Sequence, residues 1–263
     1  MNQEIILEAQ DISFAYRPKE PILEGLSLSI RQGDYLVIIG PNGGGKTTLL
    51  KIILGLLKPT SGKILFNPEL FQSKDPRRYI GYVPQYIVFD REFPIKVIDV
   101  VVMGFLGLRG LFRFYSKEDY KLAEETLDMV NMLDYKDHPI NELSGGQLQR
   151  VIIARTLVTK PRILLLDEPT TFIDSESQEN LSQYLTEWNK DTTIVVVTHD
   201  MGIVSKSAKQ IACINKKLFY HGGRELPPGI IEETYGCPID LIGHGIPHRV
   251  FKEHNETSTS HKD

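Results

Sequence analysis

The octapeptide Gly40-Pro41-Asn42-Gly43-Gly44-Gly45-Lys46-Thr47 matches the pattern G-x-x-x-x-G-K-[ST]. An apolar run at 35–39, typical of a buried strand, precedes it, and a predicted helix over 47–57 follows it. Glycines at a helix N-terminus let backbone N–H groups approach a phosphate closely. Lys46 adds a mobile positive charge and Thr47 a hydroxyl ligand for Mg²⁺. The stretch therefore predicts a nucleotide-binding loop in an α/β sheet.

Two further strands end in polar side chains that suit nucleotide chemistry. The run 163–166 is continuously apolar and is followed by Asp167 and Glu168, while His199 follows the apolar run 194–197. Ligands of open α/β sheets bind beyond the carboxyl ends of the strands. We expect Asp167 to hold Mg²⁺, directly or through water, and Glu168 to orient or deprotonate an attacking water. His199 is a candidate for a hydrogen bond to the γ-phosphate or to that water.

Size and composition restrict the alternatives. The 263 residues suffice for one large α/β domain with an inserted subdomain, and the net charge of −4 offers no overall basic field for nucleic acid. The longest apolar run, 100–108, is about half of what a helix needs to cross a bilayer, so the sequence predicts that any membrane role acts through a partner.

The rest of the chain divides into strand-rich and helical parts. Strands are predicted at 4–8, 27–30 and 63–66, and a hairpin at 210–220 around Asn215. The region from 86 to 142 has few strand signals and is predicted to be mostly helical, with a capping box at Ser116 and Asp119. Tyr120, Ala123, Leu127 and Val130 are expected on one face of that helix, and 147–159 is expected to form another helix.

Leu143-Ser144-Gly145-Gly146-Gln147 resembles the signature sequence of the ABC ATPases. The order of motifs is also similar to that family: phosphate loop, a glutamine loop at Gln85, signature, acidic strand end and His199. The resemblance covers about residues 7–220. It implies an α/β fold: a P-loop NTPase core with a mostly parallel sheet, an N-terminal antiparallel β subdomain and an inserted α-helical subdomain at about 86–159. The ATPase domain would span 1–240, and 241–263 would form a partly flexible tail.

The resemblance also implies a role for each motif residue. ATP would contact the phosphate loop, with Thr48 beside Thr47, and would stack on Tyr16, which could otherwise be an ordinary core tyrosine. Gln85 would sense the γ-phosphate and complete the Mg²⁺ site with Thr47 and Asp167. Ser144, Gly145 and Gly146 would bind ATP held by a second, head-to-tail copy, although Ser144 could simply cap its helix. Asp174 would be the D-loop aspartate, in a segment whose neighbours 171–173 depart from the usual small residues.

Three segments look closest to the zinc, manganese and iron importer branch of the family: 41–45, 101–104 and 237–248. The expected protein is the ATP-hydrolysing subunit of a metal-ion importer, peripheral at the cytoplasmic face of the cell membrane. Its partners would be a membrane-spanning permease and, indirectly, an extracellular or periplasmic substrate-binding protein, with no nucleic acid. Importers of siderophores, haem or cobalamin are one alternative. A soluble ABC ATPase acting on nucleic acid or ribosomes is another, but the second nucleotide unit or long coiled-coil insertion usual there is not present.

Two hypotheses concern surfaces. The apolar segment 86–112, beside Gln85, is expected to dock the permease, with internal helix packing as the alternative. The tail could sense metal through five candidate ligands, or its histidines could be ordinary surface residues and its cysteine buried. Those ligands are Cys237, His244, His248, His254 and His261.

Overall fold

The computed structural model describes residues 4–71, 73, 75–86, 94–110, 114–170, 175–199, 208–223, 226–227, 229–235, 240–244 and 246–250, with backbone alone for 175–180 and 240–250. The strands are β1 (Ile5–Arg17), β2 (Glu20–Arg31), β3 (Tyr35–Ile39), β4 (Ser61–Phe66), β5 (Ile80–Val83), β6 (Ile163–Asp167), β7 (Thr193–Thr198), β8 (Gln210–Asn215), β9 (Lys217–Gly222), β10 (Asp240–His244) and β11 (Ile246–Val250). The helices are α1 (Lys46–Ile53), α2 (Val97–Val102), α3 (Leu106–Arg109), α4 (Lys117–Met129), α5 (Gly145–Leu157), α6 (Ser175–Trp188) and α7 (Ile230–Tyr235).

A six-stranded sheet in the order β5-β6-β7-β3-β8-β9 forms the centre of the fold. Its first five strands are parallel, and β9 returns antiparallel to β8. Every residue of β3, β6 and β7 is buried, because both faces of the sheet are covered. The predicted α/β class and mostly parallel sheet are confirmed. The parallel order brings the ends of β3, β6 and β7 to one edge.

The N-terminal strands form a separate antiparallel sheet in the order β2-β1-β4, as the sequence predicts. The predicted strand 4–8 was too short, since β1 continues to Arg17. Register shifts interrupt its pairing with β2, and Asp11 has φ of 50°. Such bulges break the regular alternation from which a long strand is recognised in a sequence.

The region predicted to be helical contains α2, α3 and α4, and a 3₁₀ turn at Met103–Phe105 joins α2 to α3. Helices α2 and α4 both pack on α5. Ser116 and Asp119 form the predicted capping box of α4. Ala123, Leu127 and Val130 are buried as expected, but Tyr120 is exposed and donates its hydroxyl hydrogen to Asp99. The phenol of Tyr120 thus has a polar partner at the surface, which suits an aromatic side chain with a polar end.

The bounds of two predicted helices need correction. The helix expected at 47–57 is α1, which ends at Ile53. There Gly55 adopts φ of 74°, and the N–H groups of Leu56 and Leu57 both bind the Lys51 carbonyl, a turn that closes the helix. The helix expected at 147–159 is α5, at Gly145–Leu157.

The hairpin expected around Asn215 is formed by β8 and β9. In the tail, β10 and β11 pair as a second hairpin, with His244 opposite Ile246 and His248 opposite Ile242. Cys237, His254 and His261 lie outside the described residues. Within the described ranges, no helix has the length and apolar character required to span a membrane.

Candidate functional site

The loop 40–45 joins β3 to α1 in a conformation that depends on glycine. Gly43 and Gly45 have φ of 77° and 95°, a region that residues with a side chain rarely adopt. A Cβ on Gly45 would lie 2.6 Å from Leu23 Cδ2 and 2.7 Å from the Ile22 carbonyl oxygen. A Cβ on Gly40 would overlap the carbonyl oxygen of Ile214 at 1.9 Å. The loop is therefore fixed by packing against β2 and β8.

Lys46 is the first residue of α1, directly after this loop, and is only 6% exposed. Its ammonium group donates to the carbonyl oxygens of Gly40, at 2.9 Å, and Pro41, at 3.1 Å. The same group lies 3.5 Å from Oε1 of Glu168. Burial lowers the pKa of Lys46, and the nearby Glu168 acts in the opposite direction.

Asp167, at the end of β6, has a hydroxyl donor on each carboxylate oxygen. Thr47 donates to Oδ1 at 2.9 Å and Tyr82 donates to Oδ2 at 3.2 Å. Burial raises the pKa of Asp167, and the hydrogen bonds from Thr47 and Tyr82 oppose that rise. Burial and the Asp167 charge also raise the pKa of Tyr82 far above its usual range.

Glu168 and His199 form a close pair at the same edge of the sheet. Nδ1 of His199 lies 2.7 Å from Oε2 of Glu168, and the His199 backbone N–H donates to the same oxygen at 3.3 Å. Glu168 has φ of 49°, and its own N–H donates to the Val197 carbonyl oxygen at 2.8 Å, which joins it to β7. A left-handed conformation at a residue other than glycine is costly, and such strain is concentrated at functional sites.

These groups border a cleft of about 590 Å³, which Tyr16, Gln85 and Tyr86 also line. Tyr16 is 60% exposed and packs edge-on against Phe14, with the ring centroids 4.8 Å apart. A largely exposed aromatic ring at the border of a cleft is suitable for stacking on a base.

The cleft brings together most of the residues selected from the sequence. The members are Tyr16, Asn42, Gly43, Gly44, Gly45, Lys46, Thr47, Thr48, Gln85, Glu168 and His199. Gly40 and Pro41 accept the Lys46 hydrogen bonds, and Asp167 accepts from Thr47. Asp174 lies outside the described residues.

The signature residues Ser144, Gly145 and Gly146 do not line this cleft. Ser144 caps α5: its hydroxyl accepts from the N–H of Gln147, and the Gln147 side chain accepts from the N–H of Ser144. Ser144 and Gly145 are exposed, so the start of α5 presents backbone N–H groups at the surface.

Sequence reasoning missed Tyr82, Ile22 and Tyr86, which contact Asp167 or line the cleft. The only local signal for Tyr82 was its place on a short strand just before Gln85. Its contact with Asp167 follows from the pairing of β5 with β6, which local sequence does not reveal.

The donor set at Asp167 fits Mg²⁺. Thr47 and Asp167 provide a hydroxyl and a carboxylate, the hard oxygen ligands that Mg²⁺ prefers, and their oxygens are already 2.9 Å apart. Mg²⁺ in such sites takes few protein ligands and completes its shell with phosphates and water.

The ABC transporter family profile matches residues 23–171. The chain is 42% identical over 219 residues to a probable metal transport system ATP-binding protein of Chlamydia muridarum, which covers 83% of this chain and 91% of that protein. It is 39% identical over 221 residues to the zinc uptake system ATP-binding protein ZurA of Listeria innocua, covering 82% and 85%.

Among solved structures, the chain is similar to the dimeric bacterial ABC transporter cassette MJ0796. The TM-score is 0.67 at 29% identity, covering 84% of this chain and 100% of that one. The chain therefore belongs to the ABC transporter family. The predicted class, an ABC-type ATPase, is confirmed.

Proposed function

We propose that this chain is the ATP-hydrolysing subunit of a metal-ion importer, with zinc or manganese as cargo, and that it drives a separate permease. One observation carries the ATPase assignment: Glu168 contacts both Lys46 and His199, and the adjacent Asp167 accepts a hydrogen bond from Thr47, so the strand ends and the start of α1 meet at one site. The metal-transport names of the two relatives support the cargo.

The phosphates of ATP would lie against the N–H groups of the glycine loop and the N-terminus of α1. Lys46 already points into that loop, and a γ-phosphate would compete for its ammonium group with Glu168. Bound Mg²⁺, held by Thr47 and Asp167 with Gln85 nearby, would neutralise phosphate charge and polarise the terminal phosphoryl group.

In this proposal Glu168 orients or deprotonates the attacking water. His199 holds Oε2 of Glu168 at 2.7 Å and Lys46 lies beside Oε1, so both carboxylate oxygens are engaged before nucleotide arrives. A triphosphate that attracts Lys46 would free Oε1 to accept a hydrogen bond from water. A Glu168→Gln variant should bind ATP normally and hydrolyse it about 10²–10⁴-fold more slowly.

A second copy of the chain completes the site in this proposal. The start of α5 is a potential anion site, but it lies away from the cleft, so it would bind the ATP held by another molecule. The similarity to a dimeric cassette supports this pairing.

The permease would dock in a groove of about 510 Å³ between the central sheet and the helical region. The groove is lined by the cationic side chains of Arg77, Arg78 and Arg155, by the carboxylate of Asp75, and by the apolar side chains of Met103 and Leu108. Met103 and Leu108 are exposed apolar side chains. No carboxylate among the described residues pairs with Arg155, and its burial lowers its pKa. A half-buried cation of this kind favours a partner with an acidic side chain.

Docking can be tested by charge substitution. Leu108→Glu and Arg155→Glu should prevent co-purification with the permease while ATP binding by the isolated subunit is retained. Met129→Glu, at an exposed apolar side chain outside the groove, is the matched control and should keep the complex. Loss of ATP binding together with loss of the complex would instead show that Leu108 and Arg155 support the fold of the subunit.

The cargo can be tested in cells, where the subunit would lie at the cytoplasmic face of the membrane with its permease and a substrate-binding protein. Cells that lack this chain should lose uptake of radiolabelled zinc or manganese. Retained uptake of both metals, with loss of haem, siderophore or cobalamin uptake, would assign the other importer class. The roles of Tyr16 and Asp174 belong to the same proposal.

A further inference from the structure

Tyr82 makes a contact that the motifs of the sequence do not predict. It lies on β5, which pairs in parallel with β6. Its partner on β6 is Leu165, and Leu165 comes two positions before Asp167. Its phenol oxygen donates to Oδ2 of Asp167 at 3.2 Å, while Thr47 donates to Oδ1 of the same carboxylate at 2.9 Å. The two hydroxyl groups hold the carboxylate from both oxygens.

Asp167 needs this second contact because it has little water around it. The residue is 1% exposed, and a buried carboxylate with an unpaired oxygen carries a desolvation cost. If a metal ion takes Thr47 as a ligand, it binds a lone pair of the hydroxyl oxygen, and the hydroxyl hydrogen can still donate to Oδ1 of Asp167. The Tyr82 hydrogen bond holds the other oxygen, so the two donors together fix the rotation of the carboxylate.

The strand that carries Tyr82 is well fixed. A Cβ on its neighbour Gly81 would lie 2.5 Å from the Thr156 methyl group, so β5 packs closely against α5. Tyr82 also packs against the buried apolar cluster that includes residues of α1 and β6. A donor on a rigid strand can orient a metal ligand more precisely than one on a loop.

We propose that Tyr82 is a positioning residue that orients Asp167 for Mg²⁺. It touches neither ATP nor the reacting water, and it acts through the carboxylate. The inference rests on the proposed function, since it assumes that the cleft binds Mg-ATP. Outer-shell partners of metal ligands typically change metal affinity about 10–100-fold when they are removed.

The test is a Mg²⁺ titration of nucleotide binding by the full chain, with a fluorescent ATP analogue as the probe. Tyr82→Phe removes one oxygen and keeps the ring. It should raise the Mg²⁺ concentration for half-maximal binding about tenfold, with affinity in EDTA unchanged. Tyr79→Phe is the matched control, because Tyr79 is a half-buried tyrosine that packs on Phe71, and it should leave both values unchanged.

Two results would overturn the inference. One is an unchanged Mg²⁺ midpoint in Tyr82→Phe, and the other is an equal loss of affinity with and without Mg²⁺, which would mean that the hydroxyl only supports the fold. Failure of the wild-type chain to bind nucleotide under any condition would instead reject the proposed function, and the inference with it.

Discussion

At the scale of single residues, position 45 of the phosphate loop has a strict requirement for glycine. Alanine there would meet both an unfavourable φ and the side chain and carbonyl of β2. We predict that Gly45→Ala lowers the free energy of unfolding by about 1–3 kcal/mol more than Gly43→Ala. Chemical denaturation without nucleotide measures the difference.

Gly43 is the matched control because its φ is also positive, at 77°, while no atom lies within 4 Å of the point that an added Cβ would occupy. Equal destabilisation by the two variants would show that packing against β2 does not determine the loop conformation. The destabilisation would then be explained by the preference of glycine for positive φ alone.

Residue identities such as these were predictable because a phosphate loop is a motif of neighbouring residues. Its glycines, lysine and threonine are consecutive, and the strand and helix around them are recognisable from short patterns. The same holds for the capping box at Ser116, where donor and acceptor are three residues apart. The partners of Asp167 were less predictable, since Thr47 and Tyr82 come from distant parts of the chain.

At the scale of elements, α4 and α5 both begin with a capping box. A comparison of the two serines can therefore distinguish helix capping from ligand binding. Ser116→Ala and Ser144→Ala should each cost about 1 kcal/mol of stability, because each removes an N-cap. Only Ser144→Ala should also weaken ATP-driven dimerisation. Thermal unfolding measures the change in stability, and light scattering measures dimerisation. Normal dimerisation of Ser144→Ala would show that Ser144 acts only as a helix cap.

The hairpin of β8 and β9 should make stability depend on pH. His221 on β9 lies 2.8 Å from the Gln210 side chain, and burial lowers its pKa. As pH falls through the ordinary histidine value, the unfolded chain binds a proton before the folded chain does, so stability is lost. His221→Gln should therefore lose less stability than wild type as the pH is lowered from slightly alkaline to mildly acidic.

Urea unfolding at the two ends of that pH range provides the comparison. A variant whose stability falls as steeply as that of wild type would exclude His221 as a source of the pH dependence. The direction of this effect depends on burial of the imidazole, which the sequence pattern of the hairpin did not reveal.

Element boundaries were predicted less well than element types. The short strand expected at the N-terminus omitted most of β1, because bulges break its alternation, and α1 ends at Ile53, before the end expected for it. The end of α1 depends on the positive φ of Gly55 and on two hydrogen bonds to one carbonyl. These are properties of the folded turn, and helix propensities do not predict them.

At the scale of the whole molecule, the site in one chain is incomplete in the proposed mechanism. The cleft contains the catalytic candidates, while the exposed start of α5 lies elsewhere on the surface. Both motifs were found from sequence, but their separation within a monomer is a property of the fold. The separation is the structural reason to propose that ATP lies between two copies.

The decisive measurement is sedimentation of the Glu168→Gln variant with and without Mg-ATP. Slow hydrolysis would leave the triphosphate bound, so the variant should sediment as a monomer without nucleotide and as a dimer at saturating Mg-ATP. A variant that binds Mg-ATP and still sediments as a monomer would contradict the shared ATP site.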